Sequence, residues 1–163
     1  MSKHHRNRNW APAPQPLPED AHVIDSHTHV ASVVPFSQAM SREAMEKGQG
    51  EVPVYSVDEL LEQAQKVGVE GVIDCGCELP NLMTAIDMAR EHPGTVHAAI
   101  AIHPNEAVLH GHRGAPGPDG LPIKYKPWHD IPFDEAMAEV HRLATTYPNQ
   151  VVAIGETGLD YFR

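Results

Sequence analysis

The sequence predicts an α/β protein in which parallel strands alternate with helices. Two observations support this fold class: four short runs are rich in Val, Ile and Ala, and segments with apolar residues at helical spacing separate them. Near-continuous apolar strands joined by helices are typical of parallel sheets with right-handed crossover connections. With 163 residues, of which 41% are hydrophobic and 21% charged, the chain fits one globular domain.

Residues 1–20 are predicted to form a disordered, proline-rich tail. Their last part, Ala11-Pro12-Ala13-Pro14-Gln15-Pro16-Leu17-Pro18, has too many prolines for a helix or a paired strand. The folded domain is then expected to span residues 21–163, and its first strand to begin with the apolar run at residues 21–25.

Each predicted helix has a recognisable start or stop. Ser56-Val57-Asp58-Glu59 has the pattern of a capping box, and Gly68 is a typical helix end. Pro80 is acceptable in the first turn of a second helix, and Pro148 stops a third. Together with the apolar runs, these signals predict helices at residues 56–68, 80–94 and 133–147 and buried strands at residues 69–75, 96–102 and 151–154.

Two long connections interrupt the alternation of strands and helices. Residues 30–55 follow the first strand, and residues 105–132 follow the third as a long loop insertion rich in Pro and Gly. Both come after the carboxyl end of a strand, where α/β folds place their binding loops. We therefore expect the functional site at this end of the sheet.

Charge and cysteine content limit the classes of function. The chain has 22 Asp and Glu against 12 Lys and Arg, a formal net charge of -10, which would repel nucleic acid unless bound metal or a local basic patch reverses the field. Cys75 and Cys77 are too close in sequence to support a disulfide framework, so a cytoplasmic location is expected. No apolar run approaches the roughly 20 residues that a membrane span needs, so no membrane partner is predicted.

Metal-ligating side chains follow two of the predicted strands. If the first strand continues through His27 and His29, both side chains project on the same side and could hold one cation. Glu156 follows the fourth strand, where a carboxylate is costly unless it meets a cation or hydrogen-bond donors. Two imidazoles and a carboxylate suit zinc, manganese or magnesium. The alternatives are two ordinary loop histidines and a glutamate that caps a turn.

Other histidines and the two cysteines are less informative. His103, at the end of the third strand, is open to four interpretations: a third ligand, a residue that orients a ligand, a phosphate contact or a structural histidine. Cys75 and Cys77 could bind a soft metal, but without further cysteines nearby we interpret them as small hydrophobic residues at a tight turn. Surface positions are expected for His92, His97, His110, His112, His129 and His141.

Three segments together resemble the TatD family of metal-dependent deoxyribonucleases, in the family's order. They are Ile24-Asp25-Ser26-His27-Thr28-His29, Ala101-Ile102-His103-Pro104 and Val152-Ala153-Ile154-Gly155-Glu156-Thr157-Gly158-Leu159-Asp160-Tyr161. The resemblance covers residues 21–163, and the last motif is the most specific. The insertion at residues 105–132 is longer than the family usually has there.

The resemblance implies a (β/α)8 TIM barrel of the metal-dependent hydrolase type that holds two divalent metal ions, Mg, Mn or Zn. In the family the H-x-H pair binds one metal and the strand-four glutamate bridges both. This assigns His27, His29 and Glu156 as ligands and Glu156 also as the catalytic residue. His103, from its place at the end of the third strand, is predicted to be a substrate contact. Because the family's two later histidines and its aspartate have no counterpart before Arg163, only the first four β/α units are expected here.

These implications define the expected function. A two-metal-activated hydroxide would cleave phosphodiester bonds in DNA, with single strands or 3′ ends as the expected substrate. This N-terminal half alone is expected to be inactive, and the other half would come in cis or from a second chain. One alternative is a hydrolase of a small-molecule amide, lactone or phosphoester with the same fold and metals. The other is a non-catalytic, metal-binding half-barrel fragment.

Overall fold

The computed structural model describes residues 16–50, 52–114 and 125–158. Within these ranges, four strands form one parallel sheet in which each strand pairs with the next along the chain. This confirms the predicted α/β class. The strands are β1 (Val23–Thr28), β2 (Val69–Gly76), β3 (Val96–Ile100) and β4 (Val151–Ile154).

Helices connect consecutive strands, as predicted, and cover the middle of the sheet. They are α1 (Val30–Glu46), α2 (Val57–Lys66), α3 (Leu82–Glu91), α4 (Pro104–Ala107) and α5 (Phe133–Thr146), with short 3₁₀ turns at Leu79–Asn81 and Pro127–Asp130. Helix α5 has nearly the predicted bounds, whereas the predicted second helix is divided between the first of these 3₁₀ turns and α3.

The predicted capping box begins α2. The Ser56 hydroxyl accepts a hydrogen bond from the Glu59 backbone N–H at 3.2 Å, and the Glu59 carboxylate accepts one from the Ser56 backbone N–H at 2.8 Å. These two bonds satisfy backbone donors that the first turn of a helix leaves unpaired. The hydrogen bonds from the backbone and then the side chain of Ser56 lower the pKa of Glu59.

Helix α1 was not predicted, because residues 30–55 were interpreted as a long connection. Its sequence conceals it: Pro35 lies inside the helix, and Val33 and Val34 are β-branched residues that favour helices weakly. The buried face is marked by Val30, Ser37 and Ala44, spaced seven residues apart. Since Ser37 and Ala44 are small, the buried face has few large apolar residues at the helical spacing that would predict a helix.

The hydrophobic core lies over the central strands. Leu82 and Ile86 of α3 are fully buried in one cluster with Ile100 of β3. Helix α5 adds Val140 and Leu143, which belong to the apolar face that predicted this helix. The central strand β2 is mostly buried, and β3 is buried along almost its whole length. The core therefore fixes the two strands that support the middle of the functional edge.

The prediction that all four strands are buried is wrong for β1 and β4. Five of the six β1 residues are exposed, and β4 is exposed from Val152 to Ile154. Among the described residues, both strands form an outer edge of the sheet, and each pairs with a neighbour on one side only. Ile24 and Ile154 remain 58% and 52% exposed, which leaves apolar side chains of both outer strands in contact with solvent.

The ends of the predicted insertion pack against the domain. Surface positions were predicted for His110 and His129, and this is wrong, because each is only 1% exposed. The His110 ring Nδ1 donates to the Ile131 carbonyl at 2.9 Å, and His129 Nε2 lies 2.7 Å from a Glu106 carboxylate oxygen. These partners, a backbone carbonyl for His110 and a side-chain carboxylate for His129, are more than 20 residues away in sequence, and a sequence pattern does not reveal them.

Three parts of the sequence interpretation fall outside the described residues: most of the predicted tail, residues 115–124 of the insertion and residues 159–163 of the last motif. In the described part of the predicted tail, the Leu17 backbone N–H donates to the Val67 carbonyl at 3.0 Å. None of the helices in the ranges covered by the structure is long and apolar enough to cross a membrane.

Candidate metal centre

The structure brings together His27, His29 and Glu156, the side chains predicted as metal ligands. His27 lies near the end of β1, His29 directly precedes α1, and Glu156 follows β4 by two residues. One ligand atom from each lies within 4.8 Å of the others, and within the described ranges this is the one group of three or more His, Cys, Asp or Glu side chains that meets this condition. The carboxyl edge of the sheet is therefore where these side chains meet, as the sequence predicted.

His29 has one ring nitrogen fixed by the backbone. Its Nδ1 lies 3.2 Å from the Cys75 carbonyl oxygen. Because a carbonyl oxygen only accepts, Nδ1 carries the proton and Nε2 keeps the lone pair that could bind a metal. A backbone carbonyl on the second nitrogen is the usual way in which a metal-binding imidazole is oriented.

Asp74, next to Cys75 on β2, supports the same corner of the site. The residue is 1% exposed, and its Oδ1 accepts a hydrogen bond from the Ala31 backbone N–H at 3.3 Å, which holds the start of α1 directly after His29. Burial raises the pKa of the Asp74 carboxyl, against the opposing effect of hydrogen bonds from Ala31 and Val30. Sequence reasoning missed this role, because an acid inside an apolar strand gives no sign of which helix it will meet.

The two oxygens of Glu156 face different partners. Oε1 lies 2.7 Å from His27 Nε2, on the side of the proposed ligands. Oε2 lies 3.3 Å from the Cys77 sulfur and 3.2 Å from His103 Nε2. The Glu156 side chain is 25% exposed and that of His27 is 53% exposed, so the centre opens to solvent on the β1 side.

His103 contacts Glu156 from the end of β3. Its Nδ1 accepts a hydrogen bond from the Asn105 backbone N–H at 3.1 Å, so the proton of the neutral ring is on Nε2, the nitrogen that faces Glu156. A ring in this tautomer presents a donor to the carboxylate and no lone pair on that side. This geometry favours the orienting role among the interpretations left open by the sequence, and a contact with substrate stays a prediction.

Cys77 contacts the proposed ligand Glu156, a contact that the sequence did not predict. Its thiol is a hydrogen-bond donor to Glu156 Oε2, whereas the sequence suggested only a small hydrophobic residue at a turn. Burial raises the pKa of Cys77 to about 12, and the hydrogen bond and charge of Glu156 act in the same direction. The thiol is therefore protonated at neutral pH. The signal that could have found it is its place two residues beyond Cys75, at the carboxyl end of a strand.

One end of the insertion also reaches this edge. The Lys126 ammonium pairs with the carboxylate of Glu78, the residue after Cys77, and lies 4.9 Å from the centre of the Trp128 ring. His129 stabilises the 3₁₀ turn that contains Trp128, because its Nδ1 accepts a hydrogen bond from the Lys126 backbone N–H at 3.2 Å. The insertion therefore brings a cation and an aromatic ring to the strand-two side of the centre.

The donor set fits a divalent cation. Two imidazoles and one carboxylate are ligands that borderline ions such as zinc and manganese accept, and one imidazole is already oriented by a backbone carbonyl. His27 Nε2 and Glu156 Oε1 lie 2.7 Å apart, so a cation bound by both would have to separate them slightly. The residues present therefore suit an ion of this class.

Comparison with known proteins agrees with this geometry. The sequence profile described as TatD related DNase matches residues 24–163. The chain is 28% identical over 106 residues to a protein of Erwinia tasmaniensis named 3'-5' ssDNA/RNA exonuclease TatD, covering 65% of this chain and 32% of that protein. It is 27% identical over 109 residues to a Mycoplasma pneumoniae protein named uncharacterized metal-dependent hydrolase, covering 63% of this chain and 33% of the other.

The chain spans about a third of the length of the curated relatives it matches. The family profile, in contrast, matches most of the chain, from the start of β1 through the motif that contains Glu156. The matched range includes every side chain of the candidate centre. On this match, the chain belongs to the TatD related DNase family.

Proposed function

We propose that the protein is a metal-dependent hydrolase that cleaves phosphodiester bonds in DNA. The observation that carries this proposal is the convergence of His27, His29 and Glu156 at the carboxyl edge of a parallel sheet. The proposal is supported by the Erwinia tasmaniensis relative, which aligns with 65% of this chain and is named as an exonuclease of single-stranded DNA and RNA. Single strands or 3′ ends of DNA are accordingly the proposed substrates.

The chain's own residues would perform distinct tasks in this reaction. His27, His29 and Glu156 would hold one cation, and Glu156 would also contribute to holding a second. Divalent ions supply a nucleophile from water at neutral pH and polarise the phosphodiester. His103, whose Nε2–H points into the centre, would orient Glu156 or donate to a phosphate oxygen of the substrate. The open β1 side would admit a chain-like substrate.

We also propose that the four strands are part of a (β/α)8 barrel. The supporting observation is the exposure of both outer strands, which have apolar side chains and one unpaired edge each within the described residues. Closing a barrel pairs every strand edge and covers such side chains. The remaining strands would be supplied in cis or by a second chain, and this chain alone would be inactive on DNA.

Charge and compartment are compatible with this function. A formal net charge of -10 opposes DNA binding at long range, but bound dications set the local field of such a centre. Lys126 contributes a positive charge at the same edge. Cys75 and Cys77 are free thiols, which supports the proposed cytoplasmic location.

A second candidate function is hydrolysis of a small-molecule amide, lactone or phosphoester by the same centre. The observation that favours it is the name of the Mycoplasma pneumoniae relative, which specifies a metal-dependent hydrolase and no nucleic acid. A non-catalytic metal-binding module is the remaining alternative, and it would bind metal without turnover of either substrate class.

One experiment separates these candidates. The protein with the remaining barrel strands supplied is incubated with Mn²⁺ and either a 3′-labelled single-stranded DNA oligonucleotide or a panel of small esters and lactones. Release of nucleotides that stops on chelation, and that is lost in His29→Ala, supports the nuclease. Turnover restricted to small molecules supports the second candidate, and metal binding without turnover supports the third.

A further inference from the structure

The carboxylate of Glu156 is held asymmetrically. Oε1 faces the imidazole of His27, while Oε2 has two neighbours on its other side, the sulfur of Cys77 at 3.3 Å and the ring nitrogen of His103 at 3.2 Å. A carboxylate oxygen only accepts, so the proton of the Cys77 contact is on sulfur and the thiol donates. One oxygen is thereby fixed by donors while the other is left towards the proposed cation.

The residue that needs such support is Glu156 itself. It follows β4, in which three of the four residues are exposed. Rotamer preference only weakly restricts the rotation of a glutamate carboxylate about its last bond. Neither burial nor the side-chain torsion therefore fixes which oxygen faces His27. Donors from a more rigid part of the molecule are required to fix it.

Cys77 and His103 belong to such a rigid part. Cys77 follows β2 and His103 follows β3, the two central strands, which pair in unbroken register over five residue pairs. The His103 backbone N–H donates to the Cys77 carbonyl at 2.9 Å, so the pairing continues beyond the strand ends. The two donors are thus tied to each other as well as to Glu156.

We propose that Cys77 is a positioning residue of the metal centre: its thiol, together with His103, holds Oε2 of Glu156 so that Oε1 faces a cation bound by His27 and His29. This inference rests on the proposed metal centre and adds a residue to it. Outer contacts of this kind change metal affinity by about 10- to 100-fold when they are removed.

Cys75 provides a matched comparison within the same strand. It is also a free thiol and is more buried than Cys77, but its contribution to the centre is the backbone carbonyl that accepts from His29. Replacing its side chain leaves that carbonyl in place. Cys75→Ala and Cys77→Ala therefore remove the same atoms from two positions, of which only residue 77 has a side chain that donates to Glu156.

The experiment is a calorimetric titration of the chain with Mn²⁺, with Cys77→Ala, Cys77→Ser and Cys75→Ala beside the wild type. We expect Cys77→Ala to weaken the first binding event by about 10-fold or more. Cys77→Ser should stay within about threefold of the wild type, because a hydroxyl also donates. Cys75→Ala, which keeps the carbonyl that contacts His29, should weaken binding less than Cys77→Ala does, so the comparison separates loss of a thiol from loss of the contact with Glu156. Thermal unfolding without metal, measured for all four proteins, confirms that each is folded.

Three outcomes would overturn the inference. Equal affinity of the wild type and Cys77→Ala would remove the positioning role and leave the metal centre intact. Equal losses in Cys77→Ala and Cys77→Ser would show that donation is not what matters. Absence of any Mn²⁺ binding by the wild type would overturn the proposed metal centre together with the role of Cys77, so the two failures are distinguishable.

Discussion

The central and outer strands of this sheet contribute differently to fold and function. Strands β2 and β3 are mostly buried and pack against α3, whereas β1 and β4 lie at the edges with most residues exposed. The proposed ligands His27, His29 and Glu156 come from the ends of the outer strands. The groups that contact them, the Cys75 carbonyl, the Cys77 thiol and the His103 ring, lie in the central strands or shortly after them.

This division shows how an exposed strand can hold a well-placed ligand. Few packing contacts fix the side chains of β1 and β4, so their orientation depends on hydrogen bonds from the neighbouring central strand. Metal affinity and fold stability should then respond to different substitutions. We expect substitutions of the exposed proposed ligands to change metal binding and substitutions of buried central residues to change stability, and the predictions below test whether this separation holds.

The largest expected effect is that of His29→Ala on metal binding and activity. Removing one imidazole from the proposed three-ligand centre should lower activity of the protein with the proposed remaining strands supplied by orders of magnitude, and His27→Ala should do the same. Both residues are exposed, so the thermal unfolding temperature should change little. Mn²⁺ titration and turnover measure the effect, and His141→Ala on the exposed face of α5 is the control. Near-normal turnover at limiting metal would reject the assignment.

The next effect is the loss of stability from a central-strand truncation. Ile100 of β3 is fully buried, so Ile100→Ala should lower the free energy of unfolding by about 2–5 kcal/mol. Ile154, at the corresponding register position of β4, is 52% exposed, and Ile154→Ala should cost well under half as much. Denaturant unfolding of both variants measures the difference. Equal losses would show that β4 is packed as tightly as β3, contrary to the comparison.

Much of the fold could be predicted from local signals. The capping box at Ser56 and Glu59, the stop at Pro148 and the apolar runs of β2 and β4 fixed element bounds to within a residue or two. What local signals missed was α1, because Pro35 and a buried stripe with two small residues hide its period. Exposure of β1 and β4 was missed because an apolar run indicates a strand and says nothing about its place in a sheet.

The convergence of the proposed ligands could be predicted from the sequence, and the contacts that support them could not. His27, His29 and Glu156 follow strand ends, and parallel strands bring such ends to one edge, so local sequence was sufficient. The contact of Cys77 with Glu156 joins residues 79 positions apart and depends on side-chain geometry. The burial of His110 depends in the same way on a distant carbonyl, that of Ile131.

A smaller effect should distinguish the charge of Glu156 from its reach. Glu156→Gln removes the charge that balances two dications, whereas Glu156→Asp mainly shortens the side chain. With the proposed remaining strands supplied, binding of a second Mn²⁺ should therefore be weaker in the glutamine variant than in the aspartate variant. The Glu156 carboxylate is held on one side by Cys77 and His103, so the aspartate variant should also lose these contacts. Two unchanged binding events in Glu156→Gln would make Glu156 a turn residue.

The smallest effect on stability is expected at the exposed edge, where β4 differs most from the central strands. Val152 is 52% exposed, so Val152→Lys should change the free energy of unfolding by no more than about 0.5 kcal/mol. Its effect on association should be larger, because an unpaired apolar edge invites pairing with another copy and a lysine on the edge opposes it. We expect the chain alone to self-associate with rising concentration and the lysine variant to do so less, as measured by light scattering. Ile100→Ala is the control with the opposite pattern, since it should lower the free energy of unfolding and leave the unpaired edge of β4 unchanged. A wild-type chain that stays monomeric over the same concentrations would show that the outer strands need no further partner, and would remove the main support for the barrel.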